Sequence, residues 1–140
     1  AAFPSCHAGI MAAAVADYRP ANMASQKIKK SDDRMTIELV RNPDIAAQLG
    51  RQKQAHQRLI GFALETNEGE ANAKSKLARK NLDFIVLNSL QDSGAGFGVD
   101  TNKVSIFGAG NKVYHFELKT KDAVARDIIA TTLLDIKSKD

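Results

Sequence analysis

The chain has 140 residues and a mass of 15.2 kDa, one domain at most and long enough to bury roughly two thirds of its unfolded surface. Hydrophobic content of 44% and charged content of 26% exclude a disordered tail. No apolar run approaches the roughly 20 residues of a membrane span, so no membrane partner is expected. The 20 bases outnumber 16 acids for a net charge of +4, yet the one real basic cluster is KIKK at 27 to 30, weak footing for a nucleic-acid partner.

The single cysteine, Cys6, has no internal disulfide partner and fits a reducing, cytoplasmic setting. In chain order, Gly9 to Asp17 reads as a strand buried on both faces, because AAAVADYRP at 12 to 20 runs from small apolar residues straight into an acid, a phenol and a guanidinium. Tyr18 to Arg34 reads as a polar loop carrying the lysine cluster. MTIELVR at 35 to 41 alternates with period two, as a strand does. RNPDIAAQLGRQKQAH then opens a helix, with Asn42 expected as N-cap and Pro43 at the first helical position.

RLIGFALET at 58 to 66 and DFIVLNSL at 83 to 90 are further apolar strands, separated by a helix over EGEANAKSKLARKNL, 68 to 82. Strand, helix, strand, helix, strand with short connections predicts an α/β fold: a Rossmann-like parallel sheet with flanking helices. Two β runs at about 103 to 107 and 112 to 118, joined by GAGN, predict an antiparallel β-hairpin arm near the C-terminus. A last helix follows, capped by Thr120, with Val124, Ile128, Leu133 and Ile136 among its apolar positions. Residues 1 to 140 read as one domain.

In open parallel sheets ligands lie beyond the carboxyl ends of the strands, here ADYR at 16 to 19, ALET at 63 to 66 and LNSL at 87 to 90. Asp17 caps the loop that follows it or contacts a ligand or metal, and Arg19 is as plausible a partner for it. Lys76 and Lys80 share a helix face and repel each other weakly. Either they form a solvated face or an anion sits between them, with Arg79 adding charge. NPDI at 42 to 45 starts a helix whose free amides suit an anion or a base edge. KIKK is either solvated surface or a loop that brings charge over a polyphosphate. No Walker loop occurs, GAGFG at 94 to 98 precedes a hairpin instead of a helix, and His7, His56 and His115 lack metal-ligand spacing.

Taken in order, AAAVADYRP, KIKK, LVRNPDI, GFALET, the lysine pair before RKNLD and GFGVDTNKVSIF closely resemble the synthetase half of the bifunctional phosphopantothenoylcysteine decarboxylase/synthetase flavoproteins. The resemblance implies a ligase of coenzyme A biosynthesis. There 4′-phosphopantothenate and CTP form an acyl-cytidylate with release of pyrophosphate, and the amine of cysteine then displaces CMP. It implies that Asp17 contacts CTP, that Lys27 is the catalytic lysine of an active-site flap, and that Pro43, Asp44, Ile45 and Ala46 frame the nucleotide. It further implies Phe62 beside the nucleotide, Lys76 and Lys80 as CTP-binding lysines, and Ala13 as a small residue inside the strand where a ligand nears the backbone. Mg²⁺ would accompany CTP, with no metal ligands assigned. FMN belongs to the decarboxylase portion, outside this chain. The resemblance also implies a homodimer through the 103 to 118 hairpin, and a chain that is the C-terminal part of its synthetase domain, without the glycine-rich loop of the first half. SCHAG leaves His7 unplaced. Two other readings stand beside it: a nucleotide-binding α/β module without catalysis, and a basic nucleic-acid binder.

Overall fold

A computed structural model describes residues 2–28, 34–65, 68–89, 95 and 98–134. A 3-10 turn at Phe3–Ser5 leads into β1 (Ala8–Met11), followed by β2 (Tyr18–Pro20), β3 (Leu39–Arg41), α1 (Ile45–Gln52), β4 (Arg58–Glu65), α2 (Gly69–Arg79) and β5 (Phe84–Ser89). Then come β6 (Thr101–Asn102), β7 (Val104–Gly108), β8 (Lys112–His115), β9 (Lys119–Thr120) and α3 (Lys121–Leu133). Five strands form the main sheet in the order β1-β4-β5-β7-β8. β1, β4 and β5 run parallel, with Met11 opposite Gly61 and Phe62 opposite Val86, while β7 and β8 are antiparallel. The α/β sheet is therefore mixed: the expected antiparallel hairpin forms as β7 and β8, and β7 continues the sheet against β5.

Alternation along the strands divides the core into two layers. Leu59, Ala63, Ile85 and Phe107 face α1 and α2 with Leu82 and Ala73. Ile60, Phe84, Val86, Val104 and Ile106 face Val124 and Ile128 of α3. Thr120 caps α3 as expected, its Oγ1 accepting from the Ala123 amide at 3.3 Å; Ile136 lies outside the described residues. In the hairpin turn Gly110 and Asn111 both take positive φ, which these two residues tolerate better than others.

The structure corrects several boundaries. The first strand stops at Met11 instead of reaching Asp17, since the backbone beyond it bonds elsewhere: the Asn42 amide donates to the Asp17 carbonyl at 2.8 Å. The supposed loop from Tyr18 opens with β2, which pairs with β3 in a separate ribbon. The expected strand at 35 to 41 is thus strand only over its last three residues and takes no place in the main sheet. Its alternation buries nothing, for Met35, Ile37 and Leu39 are all exposed. α1 stops at Gln52 and begins after Asp44, which replaces Asn42 as N-cap by accepting the Ala47 amide at 3.0 Å.

Candidate functional site

Where β1 ends opposite Gly61, the chain swings away from β4 and leaves a cleft of about 670 Å³. One wall is the coil after β1, which contributes Ala13 through Asp17. The opposite wall is the start of α1, from Pro43 to Ala47. Gly61 and Phe62 of β4 form its floor, and Lys76, Arg79 and Lys80 reach in from α2 and its C-cap.

Small residues permit this closeness. A Cβ on Gly50 would come within 1.8 Å of the Lys80 carbonyl oxygen, so only glycine lets α1 pack against the end of α2. Asn81 closes the joint, its Nδ2 donating to the Gly50 carbonyl at 2.7 Å. Lys80 then reaches back along α1, and its Nζ lies 3.1 Å from Asp44 Oδ2. Partial burial pushes the Asp44 carboxyl up, but the Ala47 amide and Lys80, with Arg79 nearby, outweigh it and hold the group below its ordinary 3.8.

Of the ten residues expected at a site, the cleft brings together nine: Ala13, Asp17, Pro43, Asp44, Ile45, Ala46, Phe62, Lys76 and Lys80. Lys27 is exposed in the segment between β2 and β3 and does not line it. Lys29 and Lys30 of the cluster, Thr66, Leu90 and most of GAGFG lie outside the described residues. Ala13 lines the cleft from the coil beyond β1, not from within a strand as expected. Arg19 does not meet Asp17: its Nη1 donates to the Arg41 carbonyl at 2.9 Å and to Asn42 Oδ1 at 3.1 Å. Lys76 of α2 and Lys80 at its C-cap do not merely repel, because each has its own acid. Lys76 bonds Glu65 at 2.5 Å and Lys80 bonds Asp44.

Two cations went unnoticed in the sequence. Arg41 and Arg51 also line the cleft, and Arg51 was open to detection, since it stands four residues after Ala47 on one face of α1. Five cations (Arg41, Arg51, Lys76, Arg79, Lys80) meet two carboxylates (Asp17, Asp44) along the lining, a net charge of +3. Arg51 and Arg79 make no ion pair among the described residues, nor does the Asp17 carboxylate. An open cleft with uncompensated guanidinium groups suits a polyanion.

The family model of the DNA/pantothenate metabolism flavoprotein C-terminal domain matches residues 1–134. The chain is 53% identical over 132 residues to a protein named cysteine/cysteine sulfinic acid decarboxylase from an unknown prokaryotic organism, a match covering 94% of this chain and 37% of that one. It is 43% identical over 122 residues to the coenzyme A biosynthesis bifunctional protein CoaBC of Vibrio cholerae, covering 86% of this chain and 30% of the relative. The crystal structure of the C-terminal domain of a coenzyme A biosynthesis bifunctional protein CoaBC superposes with a TM-score of 0.72 at 35% identity, over 93% of this chain and 55% of that domain. The chain spans about a third of the length of these curated relatives.

Proposed function

The chain belongs to the DNA/pantothenate metabolism flavoprotein C-terminal domain family, and from that premise we propose that its cleft binds CTP for the ligation of 4′-phosphopantothenate to cysteine in coenzyme A biosynthesis. What carries the reading is the convergence of residues from four separate segments, with five cations, on one cleft beyond the carboxyl end of β1. Such convergence favours a polyphosphate over the small amino acid in the name of the prokaryotic relative, 37% of which matches this chain.

In this reading the carboxylate of 4′-phosphopantothenate attacks the α-phosphorus of CTP, the bond to the β-phosphate oxygen breaks, and pyrophosphate leaves from an acyl-cytidylate. The cysteine amine then attacks the acyl carbon, CMP departs with the bonding pair, and the amine proton passes to solvent. Lys76, Lys80, Arg79 and Arg51 meet the negative charge that grows on the leaving pyrophosphate. The amides at the start of α1, framed by Pro43, Asp44, Ile45 and Ala46, take part in holding the nucleotide, and Phe62 offers it an aromatic face. Ala13 leaves room for it beside the backbone. Lys27, the catalytic lysine of the reading, approaches from its exposed segment once CTP has arrived.

Mg²⁺ bound with the triphosphate would neutralise part of its charge, and Asp17 would help to hold it. Asp17 is the cleft carboxylate left without a partner among the described residues, which fits an ion held mainly by phosphate oxygens and one or two carboxylates. The partner of the protein is a second copy, paired through the 103 to 118 hairpin. Among the described residues its outer strand β8 ends the sheet order, an edge suited to pairing; sedimentation of a monomer at micromolar concentration would dismiss that pairing. Among the described residues no helix is long and apolar enough to cross a membrane, and a cytoplasmic place goes with the proposed pathway.

The test is a calorimetric titration with Mg·CTP, Mg·ATP and NAD⁺. Binding of Mg·CTP at least tenfold tighter than the others, lost without Mg²⁺, is expected; no binding, or no preference, overturns the reading. Amide formation by a full-length relative with the equivalent of Lys27→Ala separates catalysis from mere binding, because a non-catalytic module would leave turnover unchanged.

A further inference from the structure

Residues 12–20 and 39–42 contribute no side chain to either core layer, so hydrophobic burial does not hold them in place. A chain segment without burial must offset its ordering entropy by other means. Here the means are the backbone pairing of β2 with β3 and, where that ribbon meets the cleft, Asn42. Its amide donates to the Asp17 carbonyl at 2.8 Å and its Nδ2 to the Ala16 carbonyl at 2.7 Å. Its Oδ1 accepts Arg19 Nη1 at 3.1 Å, and the same nitrogen donates to the Arg41 carbonyl at 2.9 Å. The side-chain amide of Asn42 thus has both its oxygen and its nitrogen committed, and Asn42 is followed directly by Pro43 and the cap Asp44. These bonds join the two walls of the cleft, the coil ending at Asp17 and the start of α1.

We infer that Asn42, clamped by Arg19, is a positioning residue that fixes the spacing between Asp17 and the N-terminus of α1 and so keeps the cleft preformed for a polyphosphate ligand. The ligand side of this inference rests on the function proposed above; the latch itself does not. Preorganisation of this kind acts on affinity by removing the need to order the walls on binding. A latch made of peripheral bonds should loosen locally without unfolding the sheet.

The experiment compares wild type with Arg19→Ala, Arg19→Lys and Asn42→Ala by amide hydrogen exchange, urea unfolding and Mg·CTP titration. In Arg19→Ala the Asn42 amide is expected to exchange at least about tenfold faster and Mg·CTP to bind about tenfold more weakly, with the urea midpoint unchanged. Arg19→Lys should recover part of both losses, and adding Arg19→Ala to Asn42→Ala should cost little more, as expected of one coupled unit. Unaltered exchange at Asn42 in Arg19→Ala overturns the latch, and so does a loss that merely tracks a lowered urea midpoint. If wild type binds no Mg·CTP, the proposed function fails on its own. The exchange comparison, which needs no ligand, then still decides whether the latch exists.

Discussion

The two ends of the parallel strands treat their polar groups in opposite ways. At the amino end, the inward-packing polar side chains of Gln57 and Asp83 are tied into hydrogen bonds. Gln57, 3% exposed, donates through Nε2 to the carbonyls of Phe3 and Cys6 at 2.8 and 2.7 Å and accepts the Gln54 amide at 2.9 Å. Asp83 Oδ2 takes both Lys53 Nζ and the Leu59 amide at 2.7 Å. At the carboxyl end, the cleft keeps Arg51, Arg79 and Asp17 without an ion pair among the described residues. Saturated groups hold a fold together, whereas unsaturated charge gathered on one concave surface is available to a ligand.

Changes at the two ends should therefore separate stability from binding, and the one position that serves both should not. Gly50→Ala comes first in size. Its methyl would collide with a backbone carbonyl of the α2 terminus, so a loss of about 3 kcal/mol or more in urea unfolding is expected, together with Mg·CTP binding, because α1 carries one cleft wall. Unchanged stability would show that α1 and α2 part freely.

Gln57→Ala acts at the amino end alone. Stripping the Phe3 and Cys6 carbonyls of their buried donor should lower stability by about 2–3 kcal/mol, while Mg·CTP affinity measured well below the melting transition stays as it was. An affinity loss would mean that the two ends are coupled. Arg79→Gln is the converse. Exposed and unpaired among the described residues, it should alter stability by less than about 0.5 kcal/mol yet weaken Mg·CTP about tenfold, roughly 1.4 kcal/mol.

The smallest effect is one that acid removes. Because the Asp44 carboxyl is held below its ordinary 3.8 in the folded chain, the ionised form favours folding. That contribution is complete above the unfolded value and is lost as pH falls below 3.8 and through the folded value. Asp44→Asn should therefore be less stable than wild type by a constant amount at and above about pH 5, and the gap should close as pH falls from about 5 to 2.5, as measured by urea midpoints; a gap that is absent near neutral pH or widens in acid would contradict the assignment.

Much of this division was legible in the linear chain. Apolar runs at 58 to 66 and 83 to 90, the cap at Thr120 and the turn GAGN each encode local structure through short-range chemistry, and they appear in the fold with edges moved by a residue or a few. Nine candidate site residues converge because motifs at strand ends and helix starts face one another across any parallel sheet. Less visible was what depends on partners far along the chain. The alternation of 35 to 41 is the pattern of a half-buried strand, but no sheet face was there to receive it, and the run AAAVAD offers its small side chains to a cleft instead of a core.

By itself the sequence determined the α/β class, the order of its main helices and strands, and most of the residues that line the cationic cleft, since propensity, capping and apolar periodicity act over a few residues. Tertiary structure alone decided that β7 joins the sheet, that β2 and β3 form their own ribbon, that Lys76 and Lys80 each meet an acid, and that Asn42 ties Ala16 and Asp17 to α1. Each of those outcomes pairs groups at least 11 residues apart, and which distant donor meets which acceptor is settled only when the packed sheet brings them within hydrogen-bonding distance.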